Sequence, residues 1–217
     1  MKTCIVIGAG SEIYSKVKPT FESDGWTLYA QDQQSYYPEP RFPKWGLCLM
    51  PMGRVAPVGN WWELDDREVN ECFEANLIKP FLWLRRVWHW RAPNATVIWF
   101  AGSNPQKIMD GYAPYNASKM AVIKLIEQLD HETPDCKFVA FGPGYVPTKI
   151  HRATLDKGWP NERIARGDNG TPIEDIYKAL KFCIEAPKSV VGGRNIAVSD
   201  LPLPDTIGES AYKLRRV

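Results

Sequence analysis

Cys4-Ile5-Val6-Ile7-Gly8-Ala9-Gly10 is a short apolar run that stops at a glycine turn, and its reading decides the fold class. Four consecutive apolar residues closed by glycines suit a strand buried on both faces, as a parallel sheet requires. The pattern recurs along the chain. Trp26 to Asp32, Trp45 to Leu49, Thr96 to Ala101, Lys137 to Phe141 and Asn195 to Val198 are further strand candidates. Helical periodicity fills the intervals between them. Asp65 to Arg86 carries apolar residues at Val69, Cys72, Phe73, Leu77, Phe81 and Leu84, with Pro80 placed to kink or divide it. Val122, Leu125, Ile126 and Leu129 make Pro114 to His131 an amphipathic helix. Thr171, Pro172 and Glu174 read as the N-cap, first position and acidic first turn of a helix that runs to about Glu185. Strands alternating with helices predict an α/β fold: a Rossmann-like, doubly wound parallel sheet in three layers (α/β/α).

Bulk properties narrow the function classes. The 217 residues suffice for a single domain with a sizeable core. A net charge of +2 gives no argument for a nucleic-acid partner. No apolar run approaches the length of a membrane span, so no membrane partner is expected. Cys4, Cys48, Cys72, Cys136 and Cys183 form no close pair and are expected to be small buried hydrophobes, in a reducing cytoplasm, with no metal site. The sequence begins with strand-like residues rather than a secretory signal.

A strand, a glycine turn and a helix in succession suggest a dinucleotide site. Backbone amides at a helix N-terminus meet the pyrophosphate, and glycines let it come close. Asp32 ends the second strand candidate, where a carboxylate accepts from the ribose hydroxyls and repels a 2′-phosphate. That favours NAD(H) over NADP(H).

Tyr115-Asn-Ala-Ser-Lys119 makes the reading specific. Residues four apart share a helix face, so the phenol and the ammonium are neighbours. A nearby ammonium favours the phenolate and is expected to lower the tyrosine pKa, which lets the phenol exchange a proton with a substrate oxygen. Phe100-Ala-Gly-Ser103 ends a strand twelve residues upstream, and a serine there stabilises charge on the same oxygen.

These residues resemble the short-chain dehydrogenases/reductases. The chain has their YxxxK motif in its Y-x-A-S-K form, a strand-end Ser103, Pro143-Gly144-Tyr-Val146-Pro-Thr148 in place of PGxVxT, and Asn76 where the family has a helical Asn. The resemblance implies an NAD(P)-dependent oxidoreductase acting on a small carbonyl or alcohol. Tyr115 is then the general acid/base, Lys119 also holds the nicotinamide ribose, Ser103 completes the set, and Asn76 anchors a proton-relaying water. It implies cofactor contacts at Gly8, Gly10, Ser11, Ile13, Asp32, Gly53, Tyr115, Lys119, Pro143, Gly144, Val146 and Thr148. It also implies a homo-oligomer, dimer or tetramer. Residues 1–60 would form the dinucleotide-binding part, 61–150 the catalytic core and 151–170 a substrate loop or lid of one domain.

The chain departs from the family pattern in its first quarter. Glu12 and Tyr14 replace the second and third glycines of the turn, and Pro19 interrupts the following helix, which is expected to be displaced or broken. Gly53 alone remains of the NNAG segment after the fourth strand of the family. Residues between Asp32 and that point are too few for a further strand and helix, so the family's third strand and helix are expected to be reduced or missing. Three prolines suit Gln33 to Lys44 to a solvated loop, with Tyr36 or Tyr37 in it as a lesser candidate to cover an adenine. Two alternatives follow. One is a protein of this fold with little dehydrogenase activity, serving as a ligand sensor or scaffold. The other is a reductase or epimerase on a phosphorylated or nucleotide-linked sugar, with Arg215 and Arg216 meeting a phosphate.

Overall fold

The computed structural model describes residues 2–31, 43–102, 107–155, 157–159, 163 and 166–200. Its strands are β1 (Lys2–Ile7), β2 (Trp26–Gln31), β3 (Trp45–Met50), β4 (Arg91–Phe100), β5 (Cys136–Gly142) and β6 (Arg194–Ala197). They form one parallel sheet in the order β2-β1-β3-β4-β5-β6. Among the described residues β2 is the edge, and no strand lies outside it.

Alternation along each strand sends side chains to two separate cores. Cys4, Val6, Leu47, Leu49, Ile98, Phe100, Val139 and Phe141 point to one face. That face is covered by α1 (Glu12–Ser23) and α6 (Ile173–Glu185). Ile5, Ile7, Cys48, Met50, Val97, Trp99, Phe138 and Ala140 point to the other. There they meet α3 (Lys79–Val87), which follows α2 (Asp66–Phe73), and α4 (Ala113–Glu132). Short helices α5 (Lys149–Leu155) and α7 (Lys188–Val191) complete the described elements with four single-turn segments. All five cysteines are free and buried, as expected of small hydrophobes.

The first helix corrects an expectation. Pro19 lies inside α1, yet the helix runs unbroken from its Ser11 cap to Ser23. A proline here costs about 3 kcal/mol. Burying Val17 and Phe21, 1% and 0% exposed, offsets it at roughly 1.5–3 kcal/mol each. Tyr14 does not point away from the sheet. It is buried in the core beside Val17 and Phe21.

Pro80 divides the long helical stretch in the way its missing N–H demands. The turn Glu74–Ile78 widens to a π-helix, with the Lys79 amide donating to the Glu74 carbonyl, and α3 starts afresh. At the start of α6 the cap is Pro172 and not Thr171. The Thr171 amide instead donates to the Tyr145 carbonyl at 2.7 Å, tying the chain to the loop after β5. The segment from His151, expected as an irregular loop, begins inside α5. Trp83 is buried in the core and the half-buried Trp88 packs against it, stacking on Phe138 and meeting the buried Trp45 edge-on.

The strand order fixes where a ligand fits. From β1 the chain turns outward to β2, then returns past β1 to β3. Loops leaving β1 and β3 therefore diverge, and a crevice opens above their carboxyl ends.

Candidate active site

Two connected hollows occupy that crevice. The smaller, about 250 Å³, lies between Gly8, Gly10, Ser11 and Ile13 on one wall and Pro51, Met52 and Gly53 on the other, under Thr148 and Lys149. Gly8 has φ +107°, and a Cβ there would stand 2.7 Å from the Cβ of Met52, so only glycine lets the β1 and β3 ends approach. Around Gly10 a Cβ would meet nothing within 4 Å, which leaves the turn open to the groove. Ser11 caps α1 by accepting from the Tyr14 amide.

The larger cleft, about 640 Å³, has Tyr115 and Lys119 in its floor and Pro143, Gly144, Val146 and Thr148 in its wall. Both floor residues come from α4, whose turns bring positions 115 and 119 together. The Lys119 nitrogen lies 5.9 Å from the Tyr115 ring centre. It donates to the Phe100 carbonyl at 2.8 Å and the Met52 carbonyl at 3.4 Å. The ammonium is thereby fixed between the ends of β3 and β4.

Asn76 is wholly buried in the widened turn. Its carboxamide accepts from the Arg54 amide at 2.7 Å and donates to the Arg54 carbonyl at 2.8 Å. It also donates to the Ser118 hydroxyl at 2.9 Å, which in turn donates to the Tyr115 carbonyl at 2.7 Å. Gly53 sits between the groups: a Cβ there would be 3.1 Å from the Lys119 nitrogen and 3.4 Å from the Asn76 oxygen. Asn76, Ser118, Tyr115 and Lys119 thus form one linked set with the backbone after β3. Asn76 is joined to the site through the Arg54 backbone and through Ser118 of α4.

Burial governs the electrostatics. It pushes the Tyr115 phenol up to about 12 and the Lys119 ammonium down to about 8. The expected lowering of the phenol pKa is reversed. Tyr115 and Lys119 share a helix face, but the lysine nitrogen is spent on two carbonyls while the phenol loses water.

Of the residues predicted from sequence, Gly8, Gly10, Ser11, Ile13, Gly53, Asn76, Tyr115, Lys119, Pro143, Gly144, Val146 and Thr148 converge on this crevice. Ser103, Asp32, Tyr36, Tyr37, Arg215 and Arg216 lie outside the described residues. Gly102 is described, and a Cβ on it would stand 3.8 Å from the Tyr115 hydroxyl. Sequence reasoning missed Ser118, which lies inside the quoted Y-x-A-S-K motif, and Lys149, which directly follows Thr148. It also missed Tyr112, His151 and Trp159 of the cleft wall. Among the described residues no cluster of metal-ligating side chains occurs, and no helix is long and apolar enough to cross a membrane.

Comparison with known proteins agrees with this geometry. The family model described as short chain dehydrogenase matches residues 52–158. An uncharacterized oxidoreductase of Schizosaccharomyces pombe is 24% identical over 155 residues, a match covering 65% of this chain and 62% of that protein. The chain thus spans less than two thirds of that relative's length. Among solved structures, a small-chain dehydrogenase in complex with NADPH has a TM-score of 0.76 at 15% identity, covering 90% of this chain and 95% of its own. A variant of actinorhodin polyketide ketoreductase with NADPH has 0.75 at 17%, covering 91% and 95%. With the Tyr115-Lys119 pair and the sheet order already in place, these matches liken the chain to the short-chain dehydrogenases/reductases, the matched family model spanning just under half of it.

Proposed function

We propose that this protein is an NAD(P)-dependent oxidoreductase that reduces a small carbonyl compound to an alcohol. The observation that carries the reading is the Tyr115 hydroxyl in the cleft floor beside an ammonium clamped by two backbone carbonyls. The oxidoreductase relative and the NADPH complexes of similar fold support it.

The residues present fit a dinucleotide. Open glycine backbone at Gly10, the α1 N-terminus and the groove beside Gly53 suit a pyrophosphate, and the larger cleft begins where that groove ends. A bound nicotinamide supplies the hydride. Gly8, Gly10, Ser11, Ile13 and Gly53 would line its phosphates, and Val146 and Thr148 its carboxamide. Asp32 would favour NAD(H) over NADP(H).

The protein's own part is to hold and move a proton. With its pKa near 12, the Tyr115 phenol keeps its proton at neutral pH and is suited to donate it to a carbonyl oxygen. Charge left on the phenolate is stabilised by the Lys119 ammonium, and Ser103 would bind the same substrate oxygen. Asn76 and Ser118 keep α4 and the backbone after β3 in register. Residues from 151 to 170 would cover the substrate, and two copies would associate as a homodimer.

The test is Tyr115→Phe. Reduction of a panel of ketones and aldehydes, followed by loss of NADH or NADPH absorbance, should fall by about 10²–10⁴-fold. Calorimetric affinity for the cofactor should stay within a few-fold of wild type. Unchanged turnover in the variant rejects the assignment. Cofactor binding without turnover of any carbonyl by the wild type returns the ligand-sensor reading.

A further inference from the structure

The groove between the glycine turn and residues 51–53 carries two formal charges among its described lining residues, Glu12 and Lys149. Both belong to one clasp. The Glu12 carboxylate accepts from the Lys149 backbone amide at 3.0 Å, and the Lys149 ammonium donates to the Gly10 carbonyl at 3.2 Å. Glu12 stands at the first position of α1 and Lys149 at the first position of α5, so the clasp ties the glycine turn to the arm that follows Thr148. A carboxylate in a phosphate-binding turn is an electrostatic fault, since like charges repel. The clasp turns that carboxylate toward an amide and brings a cation with it.

We infer that Lys149 is the phosphate-binding cation of this groove, positioned there by Glu12. The inference rests on the dinucleotide reading and adds to it which side chain balances the diphosphate charge. Gly10 supplies a neutral carbonyl as the ammonium's acceptor, and the contact is exposed. A diphosphate oxygen offers the same ammonium a charge-assisted hydrogen bond, roughly twice as strong as a neutral one. The exchange needs only the flexible lysine stem to swing within the groove, because the backbone amide on Glu12 holds its root. Glu12, a poor replacement for glycine when considered alone, becomes the anchor of a cation that the glycine motif lacks.

The test is calorimetry on the full chain at low ionic strength, with NADH and ADP-ribose as probes. Lys149→Met should weaken both about tenfold, and Lys149→Arg should stay within threefold of wild type. Affinity of the wild type should fall with added salt more steeply than that of Lys149→Met, a difference that a merely structural role for the lysine would not produce. The melting temperature of Lys149→Met should match wild type, because the side chain is exposed. An ADP-ribose affinity in Lys149→Met within twofold of wild type overturns the assignment of Lys149 and leaves the cofactor reading intact. Absence of binding of NADH, NADPH and ADP-ribose to the wild type at millimolar concentration overturns both.

Discussion

The two halves of the crevice are built on opposite principles. Around Tyr115 the polar groups are buried and linked: Lys119 to two strand-end carbonyls, Asn76 to both sides of the Arg54 peptide, Ser118 to Asn76 and to the backbone of Tyr115. At the glycine turn the polar groups are exposed and joined by a few surface hydrogen bonds, chiefly the Glu12–Lys149 clasp. A buried polar group that loses its partner pays the full desolvation cost, so the first half tolerates little change. An exposed group is rescued by water. The turn holds Glu12 through such surface contacts, whereas α1 accommodates Tyr14 by burying it in the core.

That contrast breaks if the half around Tyr115 proves soft. Asn76→Leu removes the carboxamide and strands the Arg54 amide and carbonyl together with the Ser118 hydroxyl. It should destabilise the protein by about 3 kcal/mol in urea unfolding. A cost below 1 kcal/mol would show that the linked set is ornamental. A smaller effect probes the charge in the same half. Lys119 has a folded pKa near 8 against an ordinary 10.5, so between those values the unfolded chain binds more protons. Its burial penalty is full below pH 8 and fades as pH rises toward 10.5. Wild-type stability should thus rise relative to Lys119→Met by about 2 kcal/mol between pH 7.5 and 9.5. A flat difference would mean that the ammonium is not held in a desolvated site. The smallest effect belongs to the other half. Ser11→Ala deletes a long, 3.4 Å cap contact at the edge of the groove, and should cost about 0.5 kcal/mol of thermal stability. A loss as large as that of Asn76→Leu would erase the distinction between the two halves.

Much of this was legible in the chain. Continuous apolar strands such as Cys4–Ile7 and helical periodicity from Val122 to Leu129 predicted the doubly wound sheet. The Tyr115–Lys119 spacing alone placed two functional groups on one helix face. Local rules failed where tertiary burial outweighed them. Pro19 reads as a helix breaker, but Val17 and Phe21 bury against the sheet and hold the helix together. Thr171 reads as an N-cap, but its amide is taken by Tyr145 and the helix starts one residue later. The tyrosine pKa was read from a neighbouring charge, whereas burial sets its direction.

The sequence by itself determined the fold class and the placing of Tyr115 and Lys119 on one helix face, because both are periodic: two-sided burial leaves unbroken apolar runs, and four residues make about one helical turn. Only the tertiary structure decided what those groups are joined to. Asn76 and Arg54 lie 22 residues apart, and Glu12 and Lys149 lie 137 apart. No periodicity links such positions. They meet because parallel strands place every loop that follows them at one edge of the sheet, where groups remote in sequence share a crevice.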